Sequence, residues 1–490
     1  MGVLSGLKPE KVFEYFEAIC SIPHGSGNTK QISDYCVKCA SELGLEYVQD
    51  EYNNVVIYKG AAKGYEDHPT VILQGHLDMV CARTADCVKD MAKEGLDLLV
   101  EGDYVTADKT SLGGDDGIAI AMILAILADD SLCHPPIEAV FTVDEEVGMD
   151  GARALDMKLL SGRRMLNLDS EDEGVFTVSC AGGLRTDCFI PGEIKEVSLI
   201  NSEYLNLYSV TLDGLTGGHS GTEIDKGRGN AIKLMARFLY RAFDEISGIG
   251  LSDIKGGKFD NVICNYCEAH LVMGDDAAEQ FNKLVAEFNT IYRTEFASTD
   301  PGVNLACEQV NRGNDSVNVF LAEDSLRMIS ALFLVPQGII AMSPDMKGLV
   351  QTSANVGVVD ICDEGLKFSC SVRSSIASQK YGVRDRIKAA CEGLGGQAAF
   401  RGDYPGWAYR KESFVRDTLA DIYRKQTGKS PVITAIHAGL ECGMFCEALE
   451  GLDCVSIGPE LRDIHSVDER LGISSVQRLY KLVTEFLESI

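Results

Sequence analysis

The sequence predicts an α/β protein with an α+β segment inserted into it, on three observations. First, β-branched apolar runs end in acidic or histidine residues and are followed by helical patterns, a rhythm repeated along the first third of the chain. Second, the texture changes after about Ala181 to strands in pairs with helices between them. Third, the α/β texture resumes near Gln397 and runs to Ile490. At 490 residues the chain is too long for one ordinary core, so two domains are the default.

The elements follow in order. Pro9 to about Cys20 reads as an amphipathic helix, with Val12, Phe13, Phe16, Ile19 and Cys20 at helical spacing. Ser21–Asn28 (SIPHGSGN) is a loop, Thr29 to about Leu43 a second helix, and Val55–Tyr58 a short strand. Val71–Val80 (VILQGHLDMV) is the segment around which the rest is arranged. Three apolar residues run into His76 and Asp78, and residues two apart in an extended segment share a side. Residues 83–110 read as polar and irregular. SLGGDDG (Ser111–Gly117) then turns into a helix that is apolar all round and therefore buried. Asp115 and Asp116 stand at its start, where the plainest role is capping, which accounts for one aspartate more easily than for two.

Ile137–Val143 is a strand ending in Asp144-Glu145-Glu146, and Arg164–Leu168 is another ending in Asp169, with a helix between them over Gly148–Leu159. The inserted part gives strand Leu205–Leu212, helix Asn230–Glu245, strand Asn261–Met273 and helix Ala277–Asn289. A similar order returns as strands over Ser325–Met342, Gln351–Val359 and Leu366–Ser374 and a helix over Tyr381–Gly393. Val432–Ile436 is a strand ending at His437, and Leu452–Ile457 is another, followed by a loop that carries His465. The last helix opens on a Ser474…Gln477 capping box.

Composition bounds the function. A formal charge of −29 argues against nucleic-acid and anionic-membrane partners, both of which would repel it. No apolar run is long enough to span a bilayer, and the start lacks a signal-peptide layout. Seventeen scattered cysteines suit a reducing, cytoplasmic compartment, and the spacings Cys36–Cys39 and Cys264–Cys267 read as structural thiols.

The candidate set is His76, Asp78, Asp115, Glu145, Glu146, Asp169 and His465. Open α/β sheets bind ligands beyond the carboxyl ends of their strands, where most of these residues fall. Two histidines with several carboxylates suit zinc or another borderline divalent metal. Five ligands, after two residues are set aside for other work, are too many for one tetrahedral ion and suit two, with one carboxylate bridging. Neighbours Glu145 and Glu146 diverge, so one can bind metal while the other serves as a general base.

QGHLDMV, GGDDGIAIA, VDEEVGMDGA, NLDSEDEG and DIHSVDE resemble, in order, the five metal-site motifs of the co-catalytic dizinc metallopeptidases that include aminoacylase and glutamate carboxypeptidase. AGGLRTD, DGLTGGHSGTEIDKGRGNA, QTSANVGVV, VRSS, YPGW and HAGLECGMF resemble the aminoacyl-histidine dipeptidase branch, and the resemblance spans essentially the full chain. It implies a catalytic α/β/α sandwich with a mixed, mostly parallel sheet over residues 1–186 and 395–490, and an inserted α+β lid/dimerisation domain over residues 187–394. It implies that Asp115 bridges two divalent ions, zinc first and manganese or cobalt as alternatives. His76 and Asp169 would complete one site, and Glu146 and His465 the other. Glu145 would be the base, and Asp78 would orient His76. His219 would stabilise the oxyanion, and Asn261 and Arg373 would hold the substrate backbone and carboxylate. His437 and Gly439 would line the pocket. Asn261 sits in NVICNYCEA, which departs from the family pattern, and Asp116 stands where the family often has asparagine or lysine.

The expected function is metal-dependent hydrolysis of dipeptides, aminoacyl-histidine or broader, by a homodimer. The rivals are an aminoacylase-like amidohydrolase acting on N-acyl amino acids and a non-catalytic dimeric scaffold. Turn geometry for His219 and a surface ion pair for Arg373 are the plain structural alternatives for those two residues.

Overall fold

The computed structural model describes residues 2–199, 205–310 and 316–490. The chain divides into two compact units: Met1–Cys180 with Trp407–Ala435 and Leu440–Ile490, and Ala181–Gly406 with Ile436–Gly439. The expected domain edge after residue 186 falls inside the strand Gly182–Pro191, and the one after residue 394 falls just before the strand Gln397–Tyr404. Both strands belong to the second unit's sheet.

The first unit is built on an eight-stranded sheet. Its order is Glu46–Gln49, Val55–Lys59, Ile137–Thr142, Val71–His76, Arg164–Asn167, Asp453–Ser456, Val175–Cys180 and Val432–Ile436. The four central strands, from Ile137–Thr142 to Asp453–Ser456, pair in parallel. The flanking pairs resolved at Glu46–Gln49, Val55–Lys59 and Val175–Cys180 are antiparallel. The central strands are continuous buried runs, as a sheet covered on both faces requires. Their register sets His76 opposite Thr142 and Gln74 opposite Asn167, so three strands end together at one edge of the sheet.

Alternation along Val71–His76 assigns the two covering layers. A Cβ on Gly75 would lie 3.0 Å from the Cβ of Ala119 and 3.4 Å from Ile120, so helix Gly114–Leu127 lies directly on that face. Gln74 points the other way and donates to Glu441, at the start of helix Cys442–Ala448. Helix Gly114–Leu127 is buried throughout except at Asp115, in keeping with its apolar circumference. Helix Glu10–Cys20 packs on it through Phe16 and Ile19, which reach within 3.4 Å of where a Gly117 Cβ would stand. Burying each such side chain stabilises by about 1.5–3 kcal/mol.

The second unit holds a nine-stranded sheet. Four strands, Asn304–Gln309, Leu205–Asp213, Cys267–Gly274 and Gly250–Gly256, form one set. Gly338–Met342, Val350–Cys362, Gly365–Ser374, Gly182–Pro191 and Gln397–Tyr404 form the other, and the two sets meet at the single pair Gly256–Val359. Helices Ala231–Glu245 and Asp275–Glu295 meet in a core where Phe238 lies edge-on to Phe281 and Phe288, with centroids 5.2 and 5.4 Å away.

Several sequence expectations change here. Residues 325–334, read as strand, lie in helix Ala322–Leu334; Ser325, Met328, Ile329, Ala331 and Leu332 are its buried stripe, and the strand is only Gly338–Met342. Short apolar runs leave the period ambiguous, and spacing three and four decides for helix. Residues 83–110 are not wholly irregular, since Leu98–Glu101 pairs with Tyr104–Ala107. The span 148–159 shortens to helix Asp150–Ala154 and a single 3-10 turn at Met157–Leu159. Helix Ile473–Ser489 is not closed by a capping box: Ser474 lies within it and donates its hydroxyl to Asp103, at 2.7 Å. Neither Asp115 nor Asp116 caps its helix. The 17 cysteines are all free thiols, and Cys36, Cys39, Cys264 and Cys267 are buried in the two cores. Among the described residues no helix is long and apolar enough to cross a membrane.

Candidate metal centre

The carboxyl ends of the parallel strands deliver the first side chains. His76 closes Val71–His76 and is buried. Asp169 follows Arg164–Asn167, and Glu145 and Glu146 follow Ile137–Thr142. Asp115 and Asp116 lie at the head of helix Gly114–Leu127 with non-helical backbone angles, joined by a cis peptide bond. His465 comes from the hairpin between Leu461–Arg462 and Arg470–Gly472.

Asp115 sits between the two imidazoles. Its Oδ1 is 3.1 Å from His76 Nε2, and its Oδ2 is 3.2 Å from His465 Nε2. Asp169 Oδ1 lies 3.5 Å from His76 Nε2, and Glu146 Oε1 lies 2.7 Å from His465 Nε2. On the far side of the ring, His76 Nδ1 is 3.0 Å from the Asp78 carbonyl oxygen, which holds the ring with Nε2 turned toward the acids. The Asp78 carboxylate gathers more than His76: it accepts from Ser26 Oγ (2.8 Å) and from the backbone N–H groups of Glu145 (3.0 Å) and Glu146 (3.3 Å). One buried side chain therefore ties the His76 strand to the Glu145-Glu146 turn.

Two sets of three donor atoms lie within 4.8 Å of one another: His76 with Asp115 and Glu146, and His76 with Asp169 and Asp116. Asp116 was not among the candidates. Its Oδ2 accepts the backbone N–H of His76 at 3.1 Å, and burial pushes its carboxyl well above the ordinary range. Through that bond it fixes the backbone of His76. Glu441 was missed as well. Its Oε2 accepts from Gln74 Nε2 and Thr142 Oγ1, both at 2.6 Å, and burial raises its carboxyl to about 7. Asp116 and Glu441 stand within the motifs GGDDGIAIA and HAGLECGMF, but their roles, like that of Ser26, act through partners distant in the chain.

The electrostatics state what the cluster lacks. Burial, with Asp169, Glu441 and Glu146 nearby, raises Glu145 to about 9, and burial raises Asp169 to about 6. Hydrogen bonds donated by His465 to Asp115 and Glu146 raise its pKa to about 10. Burial opposes charge on His76, but Asp169, Asp115 and Asp78 outweigh it and hold its pKa well above the usual value. Burial likewise opposes charge on Asp115, and His465 and His76 outweigh it and hold its carboxyl low. Among the described residues the two histidines are the ion-pair partners of these acids; no lysine or arginine pairs with them. Several buried acids balanced by only two imidazoles are costly to keep ionised unless cations bind. The His/Asp/Glu set fits two divalent metal ions.

A pH effect follows for the metal-free protein. Folded Asp169, Glu441 and Glu145 keep protons that the unfolded chain releases above about pH 4, and His76 and His465 keep protons that it releases above about 6.5. At these five groups the folded state binds more protons over that range, so their contribution to stability falls as pH rises. Asp115 acts oppositely, at pH values below this window. Thermal unfolding in chelator should give a lower midpoint at about pH 8.5 than at about pH 6; an equal or higher one would refute the charge account.

The remaining candidates belong to the second unit. His219 Nδ1 accepts the backbone N–H groups of Thr222 (3.1 Å) and Gly221 (3.3 Å), which leaves Nε2 as the protonated donor. Burial and Arg373 lower its pKa, so the ring is neutral. Arg373 is buried, with Nη1 donating to Tyr404 Oη at 3.1 Å and Nε without a partner. Among the described residues, that guanidinium has no carboxylate partner, so it is not the surface ion pair weighed above. His437 Nε2 is 2.8 Å from Ser353 Oγ, and burial with Arg373 lowers its pKa to about 4. The Asn261 carbonyl accepts the Ser220 N–H at 2.9 Å, beside the short pairing of Gly218–His219 with Val262–Ile263. Gly439 lies in the 436–439 segment, with no side chain to place.

A mixed α/β fold whose parallel strand ends carry a His/Asp/Glu cluster for two metals, joined to an antiparallel α+β unit, is the arrangement of a dinuclear metallopeptidase. Comparison with known proteins agrees. Residues 210–300 match a family described as the M20 peptidase dimerisation domain. The chain is 36% identical over 490 residues to the cytosol non-specific dipeptidase of Escherichia coli (strain K12), covering 100% of this chain and 99% of the relative. It superposes on the crystal structure of aminoacylhistidine dipeptidase from Vibrio alginolyticus with a TM-score of 0.94 and 35% identity, over 99% of this chain and 98% of that one. Aminopeptidase PepT from Bacillus cereus shares the fold at a TM-score of 0.56 and 16% identity, over 98% of each chain. The chain belongs to the M20 family of metallopeptidases, in the group that holds these dipeptidases.

Proposed function

We propose that the chain is a cytoplasmic dizinc dipeptidase, active on aminoacyl-histidine or broader Xaa-Xaa dipeptides, and a homodimer. The observation that carries this reading is the placement of Asp115 between His76 and His465, within a chain similar over its whole length to two dipeptidases. Asp115 would serve both metals; His76 and Asp169 would complete one site, and Glu146 and His465 the other. Carboxylate and imidazole donors suit zinc, with manganese or cobalt as alternatives. The match over residues 210–300 supports a dimer, and the free thiols suit a reducing compartment.

Bound divalent cations supply water acidification and carbonyl polarisation. The chain does the rest. Glu145 takes the proton of the attacking water and returns it to the leaving amine, a task suited to a carboxyl whose buried, acid-rich surroundings raise its proton affinity. Asp78 fixes the His76 ring and, through the amides of Glu145 and Glu146, the turn that holds the base. His219, neutral with Nε2 protonated, donates to the developing oxyanion. Arg373 receives the substrate carboxylate, Asn261 its backbone, and His437 and Gly439 line the binding pocket.

The test pairs elemental analysis with hydrolysis of β-alanyl- or glycyl-histidine, run beside an N-acetyl amino acid. About two equivalents of zinc are expected, as a paired site requires, with dipeptide cleavage lost on chelation and restored by metal. Two metals with cleavage of the N-acetyl compound alone would move the assignment to an amidohydrolase. A stable dimer without metal or activity would leave a scaffold.

A further inference from the structure

Glu469 lies four residues after His465 and is 2 % exposed. Its Oε2 accepts the backbone N–H groups of Leu112 (2.8 Å) and Gly113 (3.1 Å). Its Oε1 accepts those of Gly114 (2.8 Å) and Asp115 (3.3 Å). One carboxylate thus satisfies four consecutive amides in the turn that delivers Asp115, the task the sequence had offered to Asp115 and Asp116. The turn is shaped for it: a Cβ on Gly114 would stand 2.7 Å from Leu461 Cδ2 and 3.3 Å from Glu469 Oε1.

The same residue anchors a stiff hairpin. Leu461 pairs with Leu471 and Arg462 with Arg470. Inside the loop Ser466 Oγ donates to the Asp463 carbonyl (2.6 Å), the Asp468 N–H donates to Ser466 Oγ (3.1 Å), and Arg470 meets Asp463 at 3.0 Å. Thr106 Oγ1 donates to the Glu469 carbonyl at 2.9 Å. His465 rides on this loop, 3.2 Å from Asp115 and 2.7 Å from Glu146. His76 and Asp169, by contrast, are fixed by the ends of two central strands, on which Glu469 has no hold.

We propose that Glu469 is a positioning residue that locks the Asp115 turn to the His465 hairpin, so that it secures the cation held by Asp115, Glu146 and His465 more than the one held by Asp115, His76 and Asp169. The proposal rests on the two-cation reading. Gln at 469 can serve one amide pair with its oxygen but turns an NH₂ donor on the other pair; Asp keeps the charge but stops short of the outer amides.

The experiment titrates metal-free wild type, Glu469→Gln and Glu469→Asp with Zn²⁺ by calorimetry, and measures amide hydrogen exchange on the same metal-free samples. In the Gln variant, one binding event should weaken about tenfold or more, the scale for removing an outer-shell partner, while the other stays within about threefold. Exchange should quicken at residues 112–115 and 463–469, with the rest of the first unit unchanged. The Asp variant should show the same split, more weakly. Two events at wild-type affinity in a folded Gln variant would overturn the proposal. Parallel weakening of both events, with faster exchange across the whole unit, would show general destabilisation and overturn it too. Should the Gln variant fail to fold, wild-type binding of both ions by the Asp variant would do the same. A wild type binding fewer than two equivalents sinks the two-cation reading itself, a result read on the unmutated chain.

Discussion

Glu145→Gln is expected to cut turnover by about a hundredfold or more while both metal equivalents stay bound, the usual scale for removing a positioned base. The amide matches the carboxyl in shape and can be buried at lower cost, so the fold has no reason to fail. The residue's backbone N–H still reaches Asp78, and Glu146 keeps its place against His465. What disappears is the only function glutamine lacks, the acceptance and return of a proton. The effect should therefore fall on kcat, with KM little changed. The metal-free variant should also lose one of the groups that make stability fall at high pH, because Glu145 is raised to about 9. Steady-state kinetics and elemental analysis on one preparation check both halves. Near-normal turnover with two metals bound would remove Glu145 from the mechanism.

Asp115→Asn is expected to be more severe and different in kind. Aspartate offers an oxygen to each side, 3.1 Å from His76 Nε2 and 3.2 Å from His465 Nε2. Asparagine offers one oxygen and, on the other side, an NH₂ that cannot coordinate. Metal content should drop below one tightly held equivalent, and turnover should fall by about a thousandfold or more, since electrostatic stabilisation by metals is worth several kcal/mol. Added zinc should not restore it, in contrast to wild type after chelation. Retention of two equivalents would exclude a bridging role.

The parts of this architecture visible in the sequence are those with a local cause. Buried parallel strands must be continuous apolar runs, so VILQGH and IEAVFT declare themselves, and the polar residues that end them declare the site edge. The helix after GGDDG is apolar on every side because both its faces are covered. The run from Ser325 onward misled because helix and strand share its apolar content, and only packing selects the period. The hairpin of Leu98–Glu101 and Tyr104–Ala107 was invisible because much of it is exposed and its sequence need not alternate strongly. The roles of Ser26, Asp116, Glu441 and Glu469 were hidden for another reason, although the last three lie in quoted motifs. Each is defined by hydrogen bonds to residues far away in the chain, and no neighbouring pattern encodes such a bond.

Strand Asp453–Ser456 lies between Arg164–Asn167 and Val175–Cys180, although it is synthesised long after both. While the ribosome is still making the second unit, the sheet stands with a slot at its centre and an apolar strand edge unpaired. Such an edge is a template for pairing with other chains. The same late segment brings Glu441, His465 and Glu469. A nascent chain is therefore short of a complete metal pair for as long as its sheet is open. Closure of the sheet and assembly of the acid and histidine cluster both wait on the final segment of the chain.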